Sequence, residues 1–221
     1  MADPVSEYYR IKLEKVRKNL ERNNFRVFLA ENAENAKNLV IDEIAAPAGG
    51  GTVSWGGSAT LNATGLKDWF VNSSDWDVLT TDAAYTPEKL STSDKTEIRR
   101  QALLSDLYLL GSNAVTEDGA LVNLDMIGNR VAALTFGPEK VVVLAGRNKI
   151  CRTLEDALQR VKEFASQVNN MRLGFKNPCV KTAYCHNCTT EQRICNTWTI
   201  TEKSFPPGRT TVILINEDLG F

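Results

Sequence analysis

One short stretch, KVVVLAG at 140–146, limits the folds open to this chain more than any other feature. It is continuously apolar and is bounded by Gly-Pro on one side and Gly-Arg on the other. This pattern is typical of a strand that is buried on both faces of a parallel sheet. Predicted helices alternate with predicted strands along the chain, so we expect an α/β fold in which helices flank a sheet.

The remaining elements follow from periodicity and turn signals. A stripe of Tyr9, Leu13, Val16 and Leu20 predicts an N-terminal helix within 1–24. An Asp-Gly pair in a Glu-Asp-Gly turn predicts a hairpin within 106–125. Further helices are predicted at 31–46, after Ser58, at 87–105 and at 154–168, and further strands at 25–30, 52–55, 77–81, 197–202 and 210–218.

Composition excludes several classes of protein. Hydrophobic residues make up 43% and charged residues 24%, as in an ordinary globular protein. The net charge of −1 gives no field that would attract nucleic acid or an anionic membrane. The N-terminus lacks the apolar core of a secretory signal, and no run approaches the ~18 apolar residues of a membrane span. We therefore expect a cytoplasmic protein without a nucleic-acid partner or a membrane span.

Four of the five cysteines are concentrated in one loop, predicted at 176–196. They are Cys179, Cys185, Cys188 and Cys195, with the spacing C-x5-C-x2-C-x6-C. The Cys-x2-Cys pair can offer two thiolates to one centre, and the flanking gaps let the loop return with two more. In a reducing cytosol such a group indicates a metal or redox site rather than disulfides.

Three interpretations of this loop remain open. Four thiolates from one contiguous loop favour a 4Fe–4S cluster. Zinc is the alternative, although structural zinc sites more often use two Cys-x2-Cys knuckles. The third interpretation is a redox dithiol or unreactive thiols. Cys151 is isolated and is predicted to be a small buried side chain. His186, next to Cys185, is expected beside the site or exposed rather than as a ligand.

A glycine turn marks a candidate ligand site. Gly56, Gly57 and Ser58 lie between a predicted strand and a predicted helix. Glycines there let the backbone approach a ligand, and Ser58 can cap the helix beside N–H groups that attract an anion. A plain strand-to-helix turn with a serine cap explains the pattern equally well. The pattern matches neither the P-loop nor the dinucleotide fingerprint.

Three further residues are candidates for the same site. Asn129 and Arg130 stand at the head of an apolar helix, where the planar guanidinium would point at a carboxylate of the protein or of a substrate. Lys149 adds a positive charge nearby in sequence. The predicted ligand is a small carboxylate or a phosphate-bearing molecule.

Several stretches together resemble the lactate-utilisation (LUD-domain) family. They are VSWGGSATLNATGL, GSNAVTEDGALVNLDMIGNRVAALTFGPEKVVVLAGRNKI, the four-cysteine loop and the terminal ILINEDLGF. The resemblance runs from about residue 5 to 221, so it implies a single LUD-like domain over 1–221. It also implies the fold of CoA transferases and ribose-phosphate isomerases. Some family members oxidise lactate to pyruvate in assemblies with iron–sulfur and flavin-type partners, which makes redox protein subunits possible partners.

Three candidate functions are consistent with these residues and this resemblance. The first is a redox accessory protein of lactate utilisation, with an iron–sulfur cluster in the cysteine loop and a 2-hydroxy or 2-keto acid in an α/β pocket. The second is a CoA-transferase-like enzyme with structural zinc; there Glu117 would be the nucleophile or base, because its TEDG turn is similar to the glutamate turn of CoA transferases. The third is a ligand-binding subunit without chemistry of its own. Whether the chain is an enzyme is left open.

Overall fold

The computed structural model describes residues 3–86 and 89–221 and arranges their strands in two sheets. The strands of the large sheet are β1 (Arg26–Ala30), β2 (Gly51–Trp55), β3 (Trp76–Leu79), β4 (Leu107–Gly111), β7 (Lys140–Gly146) and β10 (Thr210–Ile215). Those of the small sheet are β5 (Ala114–Thr116), β6 (Leu121–Asp125), β8 (Ile150–Cys151) and β9 (Thr197–Thr201).

The large sheet is parallel, with the strand order β1-β10-β7-β4-β2-β3. β7 lies near its middle, and successive side chains of that strand enter different cores. Val142 and Leu144 pack in one apolar cluster, while Val141 and Val143 pack in the cluster on the opposite face. Burial on both faces explains the continuous apolar run, and the predicted α/β architecture is confirmed.

Helices cover both faces of the large sheet. They are α1 (Pro4–Arg22), α2 (Ala33–Val40), α3 (Ala46–Ala48), α4 (Ala59–Thr64), α5 (Leu66–Asn72), α6 (Thr92–Gln101), α7 (Asn129–Thr135), α8 (Leu154–Arg160), α9 (Ser166–Arg172) and α10 (Cys179–Thr182). Single π-helical segments, Ile41–Ala45 and Val161–Ala165, join α2 to α3 and α8 to α9. Within the described residues, no helix is long and apolar enough to span a bilayer.

The N-terminal helix α1 shows how its sequence sets its limits. Leu13, Val16 and Leu20 form its buried stripe, as predicted. The cap is Asp3, whose carboxylate accepts hydrogen bonds from the N–H groups of Val5 and Ser6. A side chain that satisfies these free N–H groups fixes where a helix begins.

Two predicted segments differ from the structure. The helix predicted at 87–105 is shorter, because Ser91 and Asp94 form a capping box that starts α6 at Thr92. Residues 87–88 lie outside the described residues, and Ala102–Leu104 form a 3-10 turn. The predicted hairpin within 106–125 is present but occupies only the second half of that segment. β4 belongs to the large sheet, and the hairpin consists of β5 and β6 around the predicted Glu-Asp-Gly turn.

Candidate functional site

A cleft of about 490 Å³ lies where the carboxyl ends of β2, β4 and β7 meet the small sheet. Open parallel sheets bind ligands at this edge, because the loops after the strands converge there. Five of the six predicted ligand residues border the cleft: Gly57, Ser58, Asn129, Arg130 and Lys149. The structure therefore brings together residues that are far apart in the sequence.

The glycine turn serves packing as well as access. Ser58 caps α4, and its Oγ accepts a hydrogen bond of 3.2 Å from the N–H of Leu61. Gly56 lies behind the cleft wall, where a Cβ would stand 2.7 Å from Cγ of Arg130. A Cβ on Gly111 would collide with the Oγ of Ser58. Both glycines thus let β2, β4 and α7 approach closely at the cleft.

Arg130 is an organiser of the cleft wall. It is buried, and its five N–H groups meet five acceptors at 2.7–3.1 Å. These acceptors are a carboxylate oxygen of Asp125, the side-chain oxygens of Asn113 and Asn123, and the main-chain oxygens of Gly111 and Leu124. The carboxylate that its guanidinium recognises is therefore internal. Arg130 connects β4, β6 and α7 instead of presenting an unused N–H to the cleft.

Lys149 differs from Arg130 in having little around it to balance its charge. Only 4% of the residue is exposed, and Nζ donates a 2.7 Å hydrogen bond to Oγ1 of Thr60. The Thr60 hydroxyl in turn donates to the carbonyl oxygen of Leu219. Burial, together with the charges of Arg160 and Arg130, lowers the pKa of Lys149 from 10.5 to about 7.

The charges around the cleft favour an anionic ligand. Two cations of its wall are paired, Lys67 with Asp82 at 2.8 Å and Arg130 with Asp125 at 3.1 Å. Arg99, Lys149 and Arg172 also border the cleft, and none of the ion pairs found among the described residues involves them. The surplus of positive charge suits a carboxylate or phosphate.

The cysteine loop folds around a second, much smaller cavity. Cys179, Cys185, Cys188 and Cys195 all border it, and its volume is about 20 Å³, room for about one water molecule. The guanidinium of Arg193 holds the loop by donating to the main-chain oxygens of Cys188 at 2.6 Å and of Cys195 at 2.9 Å. The four cysteines singled out by their spacing therefore border one small cavity.

The four cysteines of the loop are free thiols, and the pKa of one of them is raised. All four are free, and burial followed by the charges of Cys188, Cys195 and Cys185 raises the pKa of Cys179. A cation in the cavity would reverse that shift by stabilising thiolates. In the described part of the chain, no three His, Cys, Asp or Glu side chains are gathered closely enough to hold a metal ion. Four soft sulfur donors suit zinc or an iron–sulfur cluster. A zinc ion would require the thiols to move closer together, and a cluster would require the loop to widen.

The two cavities share a wall. Ser166 and Ile194 border both the cleft and the cysteine cavity. Ser166 begins α9 directly after the π-helical segment Val161–Ala165, and such segments are frequent at functional sites. The sequence gives no signal for this wall, because a serine within a helix and an isoleucine in a loop follow no recognisable motif.

Glu117 lies outside the cleft. Its carboxylate pairs with Nζ of Lys12 at 3.1 Å and of Lys15 at 2.9 Å, both on α1. The hydrogen bond from Lys15 is the main cause that lowers the pKa of Glu117. This environment keeps the carboxylate charged and occupied. Glu117 is not among the residues that border the cleft, so the structure does not bring it to the other predicted site residues.

The two remaining candidates near the cysteines are placed as follows. Cys151 is buried on β8 and is not among the residues that border the cysteine cavity, as expected of an isolated cysteine. His186 is exposed and borders the cysteine cavity, with Nε2 2.9 Å from the hydroxyl oxygen of Thr182.

Sequence reasoning missed Thr60, Lys67 and Asp82, whose roles depend on packing between segments distant in the chain.

Comparison with known proteins agrees with this fold. A crystal structure of a DUF162 family protein from Deinococcus radiodurans matches with a TM-score of 0.50 and 14% sequence identity, over 94% of this chain and 97% of that one. The crystal structure of eIF2B delta from Chaetomium thermophilum matches with a TM-score of 0.33 and 18% identity, over 56% of this chain and 53% of that one. No curated protein matches the chain. The family model of the LUD domain matches residues 13–215. The chain therefore belongs to the LUD domain family.

Proposed function

We propose that this protein is a redox accessory protein of lactate utilisation. It binds a small 2-hydroxy or 2-oxo acid in the cleft at the carboxyl ends of β2, β4 and β7. It holds an iron–sulfur cluster through Cys179, Cys185, Cys188 and Cys195. Membership of the LUD domain family suggests a role connected with lactate. The shared wall of Ser166 and Ile194 is the observation that supports joining the two sites in one function.

The residues of the cleft would bind and orient the acid. Unpaired cations at the wall would attract its carboxylate, and the amide of Asn129 and the hydroxyl of Ser58 can hydrogen-bond a hydroxyl or keto oxygen. Arg130, with its N–H groups occupied, would keep Asn113 and the β4 loop in position. An iron–sulfur cluster, when bound, supplies one-electron transfer. The protein would contribute ligation, orientation and exclusion of water.

The acyl-transfer alternative has less support. It requires a carboxylate nucleophile facing the bound substrate, whereas Glu117 pairs with two lysines of α1 outside the cleft. A structural zinc in the cysteine loop with a ligand-binding role for the cleft is the other alternative. It differs from the proposed function in the identity of the bound metal.

Metal and inorganic sulfide analysis of protein purified without oxygen tests the proposal. We expect iron and sulfide in equal amounts and a brown colour from sulfur-to-iron charge transfer. Cys188→Ala should lose both, while Cys151→Ala should retain them, because Cys151 lies outside the loop. Colourless protein with stoichiometric zinc would show that the loop holds a structural zinc ion instead of an iron–sulfur cluster. Full iron content in Cys188→Ala would refute the assignment of the four ligands.

A further inference from the structure

Lys149 is a buried base without an acidic partner in the described residues. Lys67, on another part of the same cleft wall, makes a useful comparison. The two residues are about equally buried, at 4% and 5% exposure, but Lys67 pairs with Asp82 at 2.8 Å. Lys149 has the hydroxyl of Thr60 instead. A buried ammonium without a counter-charge is costly, so an anion bound beside Lys149 would stabilise its charged form.

Among the described residues, none of the ion pairs involves Lys149. The charges that act on Nζ are those of Arg160 of α8 and Arg130 of α7. Arg147 and Cys151 lie two positions away on its own segment, and Asp218 precedes Leu219, whose carbonyl oxygen accepts from Thr60. Asp218 pairs with Arg147, and the carboxylate that pairs with Arg130 is Asp125. The guanidinium of Arg160 donates to main-chain oxygens of Asn148 and Asn113. Cations therefore dominate the surroundings of Nζ.

We propose that the anionic group of the ligand binds against Lys149 and that Nζ takes up a proton as it binds. This inference rests on the proposed function, because it concerns the ligand of the same cleft. Without ligand, burial and the neighbouring arginines favour the neutral amine. The bound anion supplies the missing counter-charge and favours the ammonium ion. The proton comes from solvent, and no covalent bond forms or breaks.

This coupling has a definite dependence on pH. In the free protein the pKa of Lys149 is about 7, and a bound anion raises it. Below that pH the lysine is charged before binding, so affinity changes little. Above it, each binding event must take up a proton, and affinity falls by about tenfold per pH unit. The fall ends where the pH reaches the pKa of Lys149 in the complex.

Calorimetry of the full chain with pyruvate, lactate and inorganic phosphate tests this. Titrations at about pH 8 in buffers of different ionisation enthalpy count the protons taken up, and we expect close to one per ligand. Lys149→Arg stays charged at every accessible pH, so it should bind the anion without proton uptake. Lys149→Met should lose most of the affinity. Lys140→Met, exposed at the start of β7, is the control and should behave as the wild type.

The outcomes separate this inference from the proposed function. Pyruvate or lactate that binds without proton uptake would overturn the role of Lys149 and leave the proposed function intact. If phosphate binds with proton uptake and neither acid binds, the role of Lys149 is supported and the proposed 2-hydroxy or 2-oxo acid ligand is refuted. No binding of any of the three anions would refute both. Wild-type protein alone gives these results, so a variant that fails to fold does not remove the test.

Discussion

At the scale of single residues, Arg130 and Lys149 show two ways in which a buried cation is tolerated. Arg130 has an acceptor for each of its N–H groups, and one of them is the carboxylate of Asp125. Lys149 has one hydroxyl partner and a lowered pKa. The first arrangement is complete without a ligand, whereas the second is completed by an anion. Stability should respond to their substitution in opposite directions.

Arg130→Met should destabilise the protein by about 3–5 kcal/mol, because it leaves the carboxylate of Asp125, only 11% exposed, without its cation. Denaturant unfolding of the ligand-free protein measures this change. Arg172→Met is the matched control, since Arg172 borders the same cleft but donates hydrogen bonds to Asn169 within its own helix. The control should change the free energy of unfolding by no more than about 0.5 kcal/mol. Equal effects of the two substitutions would contradict the role given to Arg130.

Lys149→Met should stabilise the ligand-free protein in a pH-dependent way. Between about pH 7 and 10.5 the unfolded chain binds more protons at Lys149 than the folded chain, so wild-type stability rises with pH in that window. Below it both states are charged and the cost of burial is largest. The gain from methionine should therefore be largest near neutral pH and shrink by up to about 1.4 kcal/mol for each pH unit above it. Urea unfolding across this window measures the gain in the free energy of unfolding. A gain that does not change with pH would contradict the burial of a lone cation.

At the scale of elements, most strands, caps and turns that depend on a single segment can be predicted from the sequence. The β7 run, the Ser58 cap and the Asp-Gly turn each follow from local chemistry, and each is present in the structure. The meeting of Ser58 and Lys149 at one edge was also predictable, because loops after parallel strands converge there, whereas Asn129 follows β6 of the small sheet.

What sequence reasoning could not supply depends on contacts between distant segments. Assigning β4 to one sheet and β5–β6 to another requires knowing the neighbours of each strand. The saturation of Arg130 depends on acceptors from β4, β6 and the loop after β4. The wall formed by Ser166 and Ile194 arises only when α9 packs against the cysteine loop.

The cysteine loop as an element depends on Arg193, which is not a ligand. Arg193→Met should weaken metal binding by about 10–100-fold, because the main-chain oxygens of Cys188 and Cys195 lose their common donor. Competition with a chelator measures this affinity. Lys181→Met, exposed on α10, removes a nearby charge without touching those oxygens and should bind metal normally. Equal affinity in both variants would show that the loop is held by other contacts.

At the scale of the whole molecule, α1 connects the two sheets. Its apolar stripe packs in the core on one face of the large sheet. Its polar side contacts the β5–β6 turn, where the amides of Asn19 and Asn23 donate to main-chain oxygens of Glu117 and Gly119 at 2.8 and 3.0 Å. The carboxylate of Glu117 adds ion pairs to the same contact. Glu117 therefore has a structural role, because it helps to hold the β5–β6 turn against α1.

Glu117→Gln should leave metal content and ligand affinity unchanged and lower the free energy of unfolding by about 1 kcal/mol or less, as expected for partly exposed ion pairs. Calorimetric binding and denaturant unfolding of the same preparation measure both quantities. A covalent acyl adduct on Glu117, found by mass spectrometry after incubation with an acyl-CoA, would instead support nucleophilic catalysis.

The measurement that most directly tests whether the two sites act as neighbours uses cobalt(II) as a paramagnetic probe. Thiolate loops that bind zinc or iron also accept cobalt(II), and zinc-loaded protein is the diamagnetic control. The nuclear relaxation of ¹³C-labelled pyruvate or lactate is measured with each form. Because Ser166 and Ile194 border both cavities, we expect cobalt to accelerate the relaxation of the bound acid strongly. An acid that binds to cobalt-loaded protein and relaxes as it does with zinc would contradict a common wall between the ligand cleft and the metal loop.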